Sequence, residues 1–345
     1  MPTLSLPALS QWATELLQRG GVAEEEASVV GPSLALSDAL GYASHGVMRI
    51  PFYLQMLQRG EIVSQAPLEI IRDRGASIAA DGGWGFGRVQ MGRLLDLALQ
   101  RVAETGVVAA TLRHSSHIGR LGEYCEQAAE CGYIAHLMAN THGTARRVAP
   151  PGGTAPRLGT NPIAYGIPAD PHPLVLDFST SVTAEGKVRV HHIAGTACPA
   201  GWLLDHQGRP STDPNVLYQD PPGTIRPFGG DQPYKGFGLA LMVDVLAGAL
   251  SGGRTARETP LNPKGNCVFL FLLDPEAFGG RDHFGAEVEQ LCQFVRNCPR
   301  ADGVDRILLA GDPEHQRLEK VRQSGVTIDD AQWEILCQLG PPPKS

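Results

Sequence analysis

Apolar positions in the first sixty residues recur at helical spacing. Leu9, Trp12, Ala13, Leu16 and Leu17 share one face, which predicts a helix that stops at Gly20-Gly21. A second helix is predicted over about 24–39, ending near Gly41, and a third after Arg49-Ile50-Pro51, where Phe52, Leu54, Met56 and Leu57 precede Gly60. From about residue 68 the pattern switches to alternating strands and helices. Strands are predicted over 68–71, 77–80, 107–112, 133–139, 163–167 and 174–178, with helices over 89–104 and 121–130 and a glycine-rich turn over 82–87. Residues 193–235 read as loop. An apolar helix over 238–250, a strand over 268–273, a helix over 286–297, a strand over 306–309 and helices over 313–323 and 329–339 complete the chain. The class is α/β or α+β, with a helical N-terminal portion and no internal repeat.

Composition narrows the function more than the fold. The chain has 345 residues, 42% hydrophobic and 19% charged, with a net charge of −7. That is an ordinary globular composition with ample core, and the acidic balance without any Lys/Arg cluster excludes a nucleic-acid footprint. The partner expected is a small molecule. The first twenty residues lack the early basic residues of a secretory signal, and the longest apolar stretch, Gly238 to Leu250, is broken by Asp244 and too short to span a bilayer. Seven cysteines without a C-x-x-C pair read as reduced thiols, which fits a cytoplasmic protein.

Four segments carry candidate chemistry. No G-x-G-x-x-G occurs; in Gly83-Trp84-Gly85-Phe86-Gly87 the last glycine of that pattern is replaced by Gln90, so a dinucleotide would bind without the usual Rossmann turn. In Ser44-His45-Gly46-Val47-Met48-Arg49, a histidine beside a hydroxyl is a candidate proton donor, and an arginine one helical turn on is a candidate carboxylate clamp worth about 1.5–3 kcal/mol. The alternative is a helix cap with two surface side chains. His114-Ser115-Ser116-His117-Ile118-Gly119-Arg120 lies between a predicted strand and helix, where ligands bind in α/β sheets; His114 and His117 are also half a metal site, without a matching third and fourth ligand. His191-His192, read as strand, would point to opposite faces. Asp177 ends an apolar strand, the position of a group that orients a histidine or closes an Asx-turn, and Phe178, Ser179, Thr180 and Ser181 follow it; Arg157 to Pro162, with Thr160, precedes it. Lys235 opens the apolar helix between two turn-forming stretches.

Taken in order, the stretches GYASHGVMRIPFY, RHSSHIGRLGEY, VAPPGGTAPRLGTNPIA, LDFSTSVTAEGKVRV, GWLLDHQGRPSTDP and YKGFGLALMVDVLAGALSGG resemble the type-2 malate/L-lactate dehydrogenase (sulfolactate dehydrogenase-like) family over about residues 5 to 325. That family includes ureidoglycolate, 2,3-diketogulonate and piperideine-2-carboxylate oxidoreductases. The resemblance implies a homodimer and a mixed-sheet NAD(P)-binding domain, over 76–234, that is not a Rossmann fold. The helical portion 1–75 would then pack with the C-terminal segment of about 235–345. By position, His45 is implied as general acid/base with Ser44 and Asp177 as hydrogen-bonded partners. Arg49, Thr160 and His117 would meet the substrate. His117, Ile118, Gly119, Asn140, Asp177, Phe178, Ser179, Lys235 and Gly311 would meet NAD or NADP, and no metal is implied. The chain departs from the family at Ala310-Gly311-Asp312, where Pro-Gly-Glu is common, at Asn140-Thr141, and in the loop 228–233. The expected reaction is reversible hydride transfer between nicotinamide and the 2-carbon of a 2-oxo/2-hydroxy carboxylate. Four alternatives stand beside it: a cyclic imine carboxylate as substrate, His117 as the principal acid/base, a non-catalytic dinucleotide-binding homologue, and a zinc hydrolase using His114, His117 and His191.

Overall fold

A computed structural model describes residues 1–258 and 262–343. After a two-residue strand β1 (Thr3–Leu4), helix α1 (Leu6–Arg19) is capped by Ser5, whose hydroxyl accepts the Ala8 amide at 3.3 Å, and it ends at Gly20. Helix α2 (Glu24–Ala39) opens on three glutamates, which suit the positive end of its dipole. It crosses α1 where a Cβ on Gly31 would stand 2.7 Å from the Thr14 amide nitrogen, so this approach requires glycine. Two short 3-10 turns, Ala43–His45 and Val47–Arg49, lead into α3 (Ile50–Gln58).

The alternating region follows: β2 (Glu69–Asp73), β3 (Ser77–Asp81), α4 (Gly87–Thr105), β4 (Val107–Ser115), α5 (Leu121–Glu130), β5 (Ile134–Asn140), β6 (Pro162–Ile167) and β7 (Leu174–Ser179). Helix α6 (Glu185–Ala194) precedes three small strands, β8 (Leu203–Leu204), β9 (Pro210–Ser211) and β10 (Thr224–Ile225). Helix α7 (Tyr234–Val243) continues as a wider π turn over Asp244–Ala249; then come β11 (Asn266–Leu273), α8 (Arg281–Arg296), α9 (Asp312–Ser324), β12 (Val326–Thr327) and α10 (Asp330–Leu339).

The main sheet has the order β2-β3-β4-β11-β5-β6-β7, with β3 and β4 parallel and every other pair antiparallel. This is the expected mixed α/β fold, and its pairing is not the parallel βαβ order of a Rossmann domain. Leu94, Leu95 and Ala98 of α4 and Tyr124 and Ala128 of α5 cover one face, against Val108, Leu137 and Leu270. Val243 and Ala247 cover part of the other, against Met138 and Ile163. A second core joins α1, α2 and α3 to Val321, Val326 and Leu336, with Trp12 4.9 Å from Trp333 between ring centroids. The sheet therefore takes β2 and β11 from outside the stretch 76–234.

Three local expectations are corrected. Residues 185–194 form helix α6, so His191 and His192 are neighbours on a helix; only Val188 is buried there, and without an apolar stripe the helical period has no signal. No strand forms over 306–309: β7 is the sheet edge, and its Val175 amide makes a single backbone bond to Ala310. The apolar helix begins at Tyr234 rather than Gly238. All seven cysteines are unpaired, four of them buried, and no helix among the described residues is long and apolar enough to cross a membrane.

Candidate active site

The sharp bend between α2 and α3 presents Ser44, His45 and Arg49 together. Ser44 Oγ lies 3.0 Å from His45 Nδ1, and Arg49 Nε donates to the Ser44 carbonyl at 2.6 Å. The loop between β4 and α5 brings His117 onto His45, with ring centroids 5.3 Å apart and planes at 28°. Tyr53 of α3 holds His117 from behind, its hydroxyl 2.7 Å from Nδ1. Ile118 is fixed by its amide donating to Asn266 Oδ1 of β11 at 3.0 Å. Gly119 has φ +85, and a Cβ there would stand 2.5 Å from the Arg88 guanidinium carbon. The expected pairing of a histidine with an arginine is thus present, and a second histidine and a tyrosine join it.

Charge around the two rings is one-sided. Burial, and after it the guanidiniums of Arg49, Arg88 and Arg120, push His45 down to about 3. Burial, Arg49, His45 and Arg88 hold His117 well below its ordinary range. Arg49 is itself lowered by burial. Both imidazoles are neutral in the free protein at physiological pH. A carboxylate bound to Arg49 would offset the positive field and make either ring easier to protonate.

Asp177 does not reach His45. Its carboxylate accepts the Gly122 amide at 2.7 Å at the start of α5, where a helix N-terminus favours negative charge. Burial raises its pKa, partly countered by that bond and by Arg120. Asp177 and Gly311 line one small cavity with Tyr42, Arg120, Glu314 and His315. Arg120 Nε is buried there without a hydrogen-bond partner among the described residues. His315 is shared with a larger groove between the 168–173 loop, α8 and α9. The small cavity holds only about 10 Å³, and in it Glu126, Asp177 and Glu314 face Arg120, whose Nη2 already donates to Glu126 at 2.9 Å, an acceptor-rich lining that suits hydroxyl groups and not a phosphate.

The other expected residues make their own contacts. Asn140 is fully buried; its amide donates to Asp244 Oδ1 and the Arg254 carbonyl, both at 2.8 Å, and accepts from the His142 amide at 3.0 Å. Its side chain is spent inside the protein. Thr160 offers its carbonyl to Thr180, Ser179 Oγ donates to the Ser181 carbonyl at 3.0 Å, and Phe178 meets Phe228 edge-on. Lys235 is exposed at the start of α7. Asp312 receives His172 at 3.1 Å, Arg296 at 3.2 Å and the Leu309 amide at 2.8 Å, so it clamps three segments. His114 leaves His117 and joins Asp81 at 2.9 Å beside Trp84 and His142, while His191 meets Thr196; the three histidines of the zinc alternative have separate partners. Tyr53, Asp38, Arg88 and Arg120 were not singled out from the sequence. Their signal was there to read, since Tyr53 lies one turn beyond Arg49 and Asp38 sits at the end of a mostly apolar predicted helix.

A non-Rossmann mixed sheet carrying a histidine pair beside an arginine is consistent with an oxidoreductase acting on the CH–OH group of a hydroxy carboxylate, the class to which the similar proteins belong. The chain belongs to the malate/L-lactate dehydrogenase family, whose profile matches residues 4–337. It is 35% identical over 342 residues to an L-lactate dehydrogenase of Cupriavidus necator, covering 97% of this chain and 96% of that one. Among solved structures it is similar to a putative malate/lactate dehydrogenase from E. coli, with a TM-score of 0.92, 31% identity, and 98% and 94% of the two chains covered. It is also similar to the delta1-piperideine-2-carboxylate reductase of Pseudomonas syringae pvar. tomato, with a TM-score of 0.86, 30% identity, and 99% and 100% covered. Family membership implies a nicotinamide dinucleotide cofactor.

Proposed function

We propose that the protein interconverts a 2-oxo and a 2-hydroxy carboxylate with NAD or NADP, using His45 as the proton carrier and Arg49 as the carboxylate clamp. The observation that carries this is the stacked His45–His117 pair beside Arg49, with arginines around the rings and no carboxylate bonded to either ring among the described residues. The dinucleotide supplies or accepts the hydride. Ser44 at His45 Nδ1 leaves Nε2 as the nitrogen that gives a proton to the developing alkoxide and takes it back in the reverse direction. Arg49 fixes the carboxylate, and Thr160 and His117 flank the substrate. Asp177 acts through the start of α5 and Arg120 rather than by bonding His45. With Asp177, the segments His117-Ile118-Gly119 and Phe178-Ser179, and also Lys235 and Gly311, contact the cofactor. Asn140 contributes by tying β5 to the π turn and the 254 region.

His117 is the second reading for the proton carrier, favoured by its bond from Tyr53, which likewise leaves Nε2 free. A cyclic imine carboxylate is the second reading for the substrate, because the similar P. syringae protein is a piperideine-2-carboxylate reductase. The half-exposed apolar row Leu241, Met242 and Val245 on and after α7 suits a second copy of the chain, and the unpaired cysteines suit a cytoplasmic location. The test crosses NADH and NADPH with a panel of 2-oxo acids and cyclic imines, read at the nicotinamide absorbance band. Oxidation with a 2-oxo acid is expected. Oxidation with cyclic imines alone selects the second substrate reading, and fluorescence quenching without turnover selects a non-catalytic homologue.

A further inference from the structure

Two buried ionisable side chains sit beneath the His45 turn, and one of them, Arg88, adds to the positive field on the two rings. Asp38 is 7% exposed and Arg88 is 2% exposed. Asp38 Oδ2 accepts the Val47 amide at 2.7 Å, and Arg88 Nη2 donates to the His45 carbonyl at 2.6 Å. These groups belong to the two peptide planes on either side of Gly46. Gly46 itself has φ −87 and ψ −159, a conformation open to any residue, so the backbone does not demand glycine there. The carboxylate does: a Cβ on Gly46 would lie 2.0 Å from Asp38 Oδ1 and 2.1 Å from its Cγ.

Arg88 reaches further. Its guanidinium lies under Gly119, in the loop that carries His117, and its other nitrogen meets Ser33 and Glu123, the latter at 3.3 Å. Glu123 in turn accepts from Ser33 Oγ at 2.6 Å. One guanidinium from α4 therefore touches both loops that present the stacked rings. Burying such charges is costly unless they are paired and hydrogen-bonded, and a buried ion pair is weak support for stability as such. What this arrangement supplies is geometry.

We infer that Asp38 and Arg88 are positioning residues, which clamp the peptide planes on both sides of Gly46 and set the register of His45 against His117. This rests on the reading of the histidine pair as the site of proton transfer. Gly46 is then a space left for the Asp38 carboxylate.

The clearest test is a double-mutant cycle of Gly46→Ala, Asp38→Ala and the two combined. Each single change is expected to lower kcat by about 10²-fold, the scale of a misplacement near 1 Å, while NADH or NADPH still quenches protein fluorescence with unchanged affinity. The combined variant is expected to regain at least tenfold over Gly46→Ala, because the added methyl enters the space the carboxylate leaves. Additive losses, or a Gly46→Ala variant with wild-type kcat, overturn the inference. A purely structural role would lower the melting temperature without this recovery of kcat. Hydrogen exchange of the Val47 amide gives a readout independent of activity. It is expected to accelerate in Gly46→Ala and to stay slow in Asp38→Asn, which keeps an acceptor oxygen and covers the case in which Asp38→Ala does not fold. Slow exchange in Gly46→Ala overturns the inference. If the wild-type chain turns over no 2-oxo acid or cyclic imine, the functional reading fails, while the exchange measurement still decides the clamp.

Discussion

Two histidine pairs flank the end of β4, and they differ in what faces them. His117 stacks on His45 among Arg49, Arg88 and Arg120, with a tyrosine and a serine as hydrogen-bond partners. His114, three residues earlier, has Asp81 at 2.9 Å, and Asp81 also holds Arg113 at 2.8 Å; its neighbour His142 meets Cys267 at 3.1 Å. The second cluster is electrically complete, since its carboxylate is already in place. In the first, Arg88 and Arg120 are already paired with Glu123 and Glu126, while Arg49 has no salt bridge among the described residues, so Arg49 is the place a substrate carboxylate would take. A histidine cluster whose rings have no carboxylate partner is the stronger functional candidate of the two, even though burial and the arginines hold both of its rings below their ordinary range.

The largest expected effect comes from breaking the first pair. His45→Ala should leave nucleotide quenching intact, whereas His117→Ala should weaken it through the lost cofactor contact; the one whose loss lowers kcat at saturating nucleotide by about 10²–10⁴-fold and removes a limb of the pH–rate profile is the proton carrier. If both retain wild-type kcat, neither is. Arg49→Met should come next. Losing a charge-assisted pair worth about 1.5–3 kcal/mol predicts a roughly 10- to 150-fold rise in KM for the carboxylate substrate. An unchanged KM removes Arg49 from the substrate.

A smaller effect concerns pH and stability. His45 is held at about 3 against an ordinary 6.5, so between those values the unfolded chain binds a proton that the folded chain refuses. Its contribution to stability is present above 6.5 and is lost as pH falls through that window. His45→Gln should therefore flatten the acid side of the melting curve. Asp38, which burial raises from 3.8 to about 7, works in the opposite sense: its contribution is present below 3.8 and is lost as pH rises through 7. Melting temperatures of His45→Gln and Asp38→Asn from pH 4 to 8 check the two signs. The smallest effect belongs to the second pair. His114→Ala should cost about 1 kcal/mol of stability with kcat unchanged, because Asp81 keeps Arg113. A large fall in kcat would erase the contrast between the pairs.

Much of this was legible along the chain. Helices α1, α4 and α5 and the buried strands announced themselves because each hides a continuous apolar face, and hydrophobic period reports that directly; α2 buries Glu26, Ser33, Ser37 and Asp38 along with its apolar residues and has no such face. Helix α6 did not, because it buries little more than Val188. The run 306–309 misled for the opposite reason: it is apolar enough for a strand, yet only the adjoining Ala310 carbonyl bonds β7. Within the site, His45, Ser44, Arg49 and His117 stood out as chemically capable types at turns. Asp177 stood out too, but the partner expected for it was wrong. Sequence shows that an acid ends a strand, and it does not show which helix start lies opposite.

By itself the sequence determined the alternation of elements, the small-molecule class of partner and the side chains able to move a proton or hold a carboxylate, because those follow from residue type and short-range spacing. Only the tertiary structure decided which histidine lacks a counter-charge, that β11 inserts between β4 and β5, and that Asp38 and Arg88 grip the turn around Gly46. Those facts depend on segments far apart in the chain meeting in a low-dielectric interior, where a charge must be paired and a missing methyl leaves room for a carboxylate.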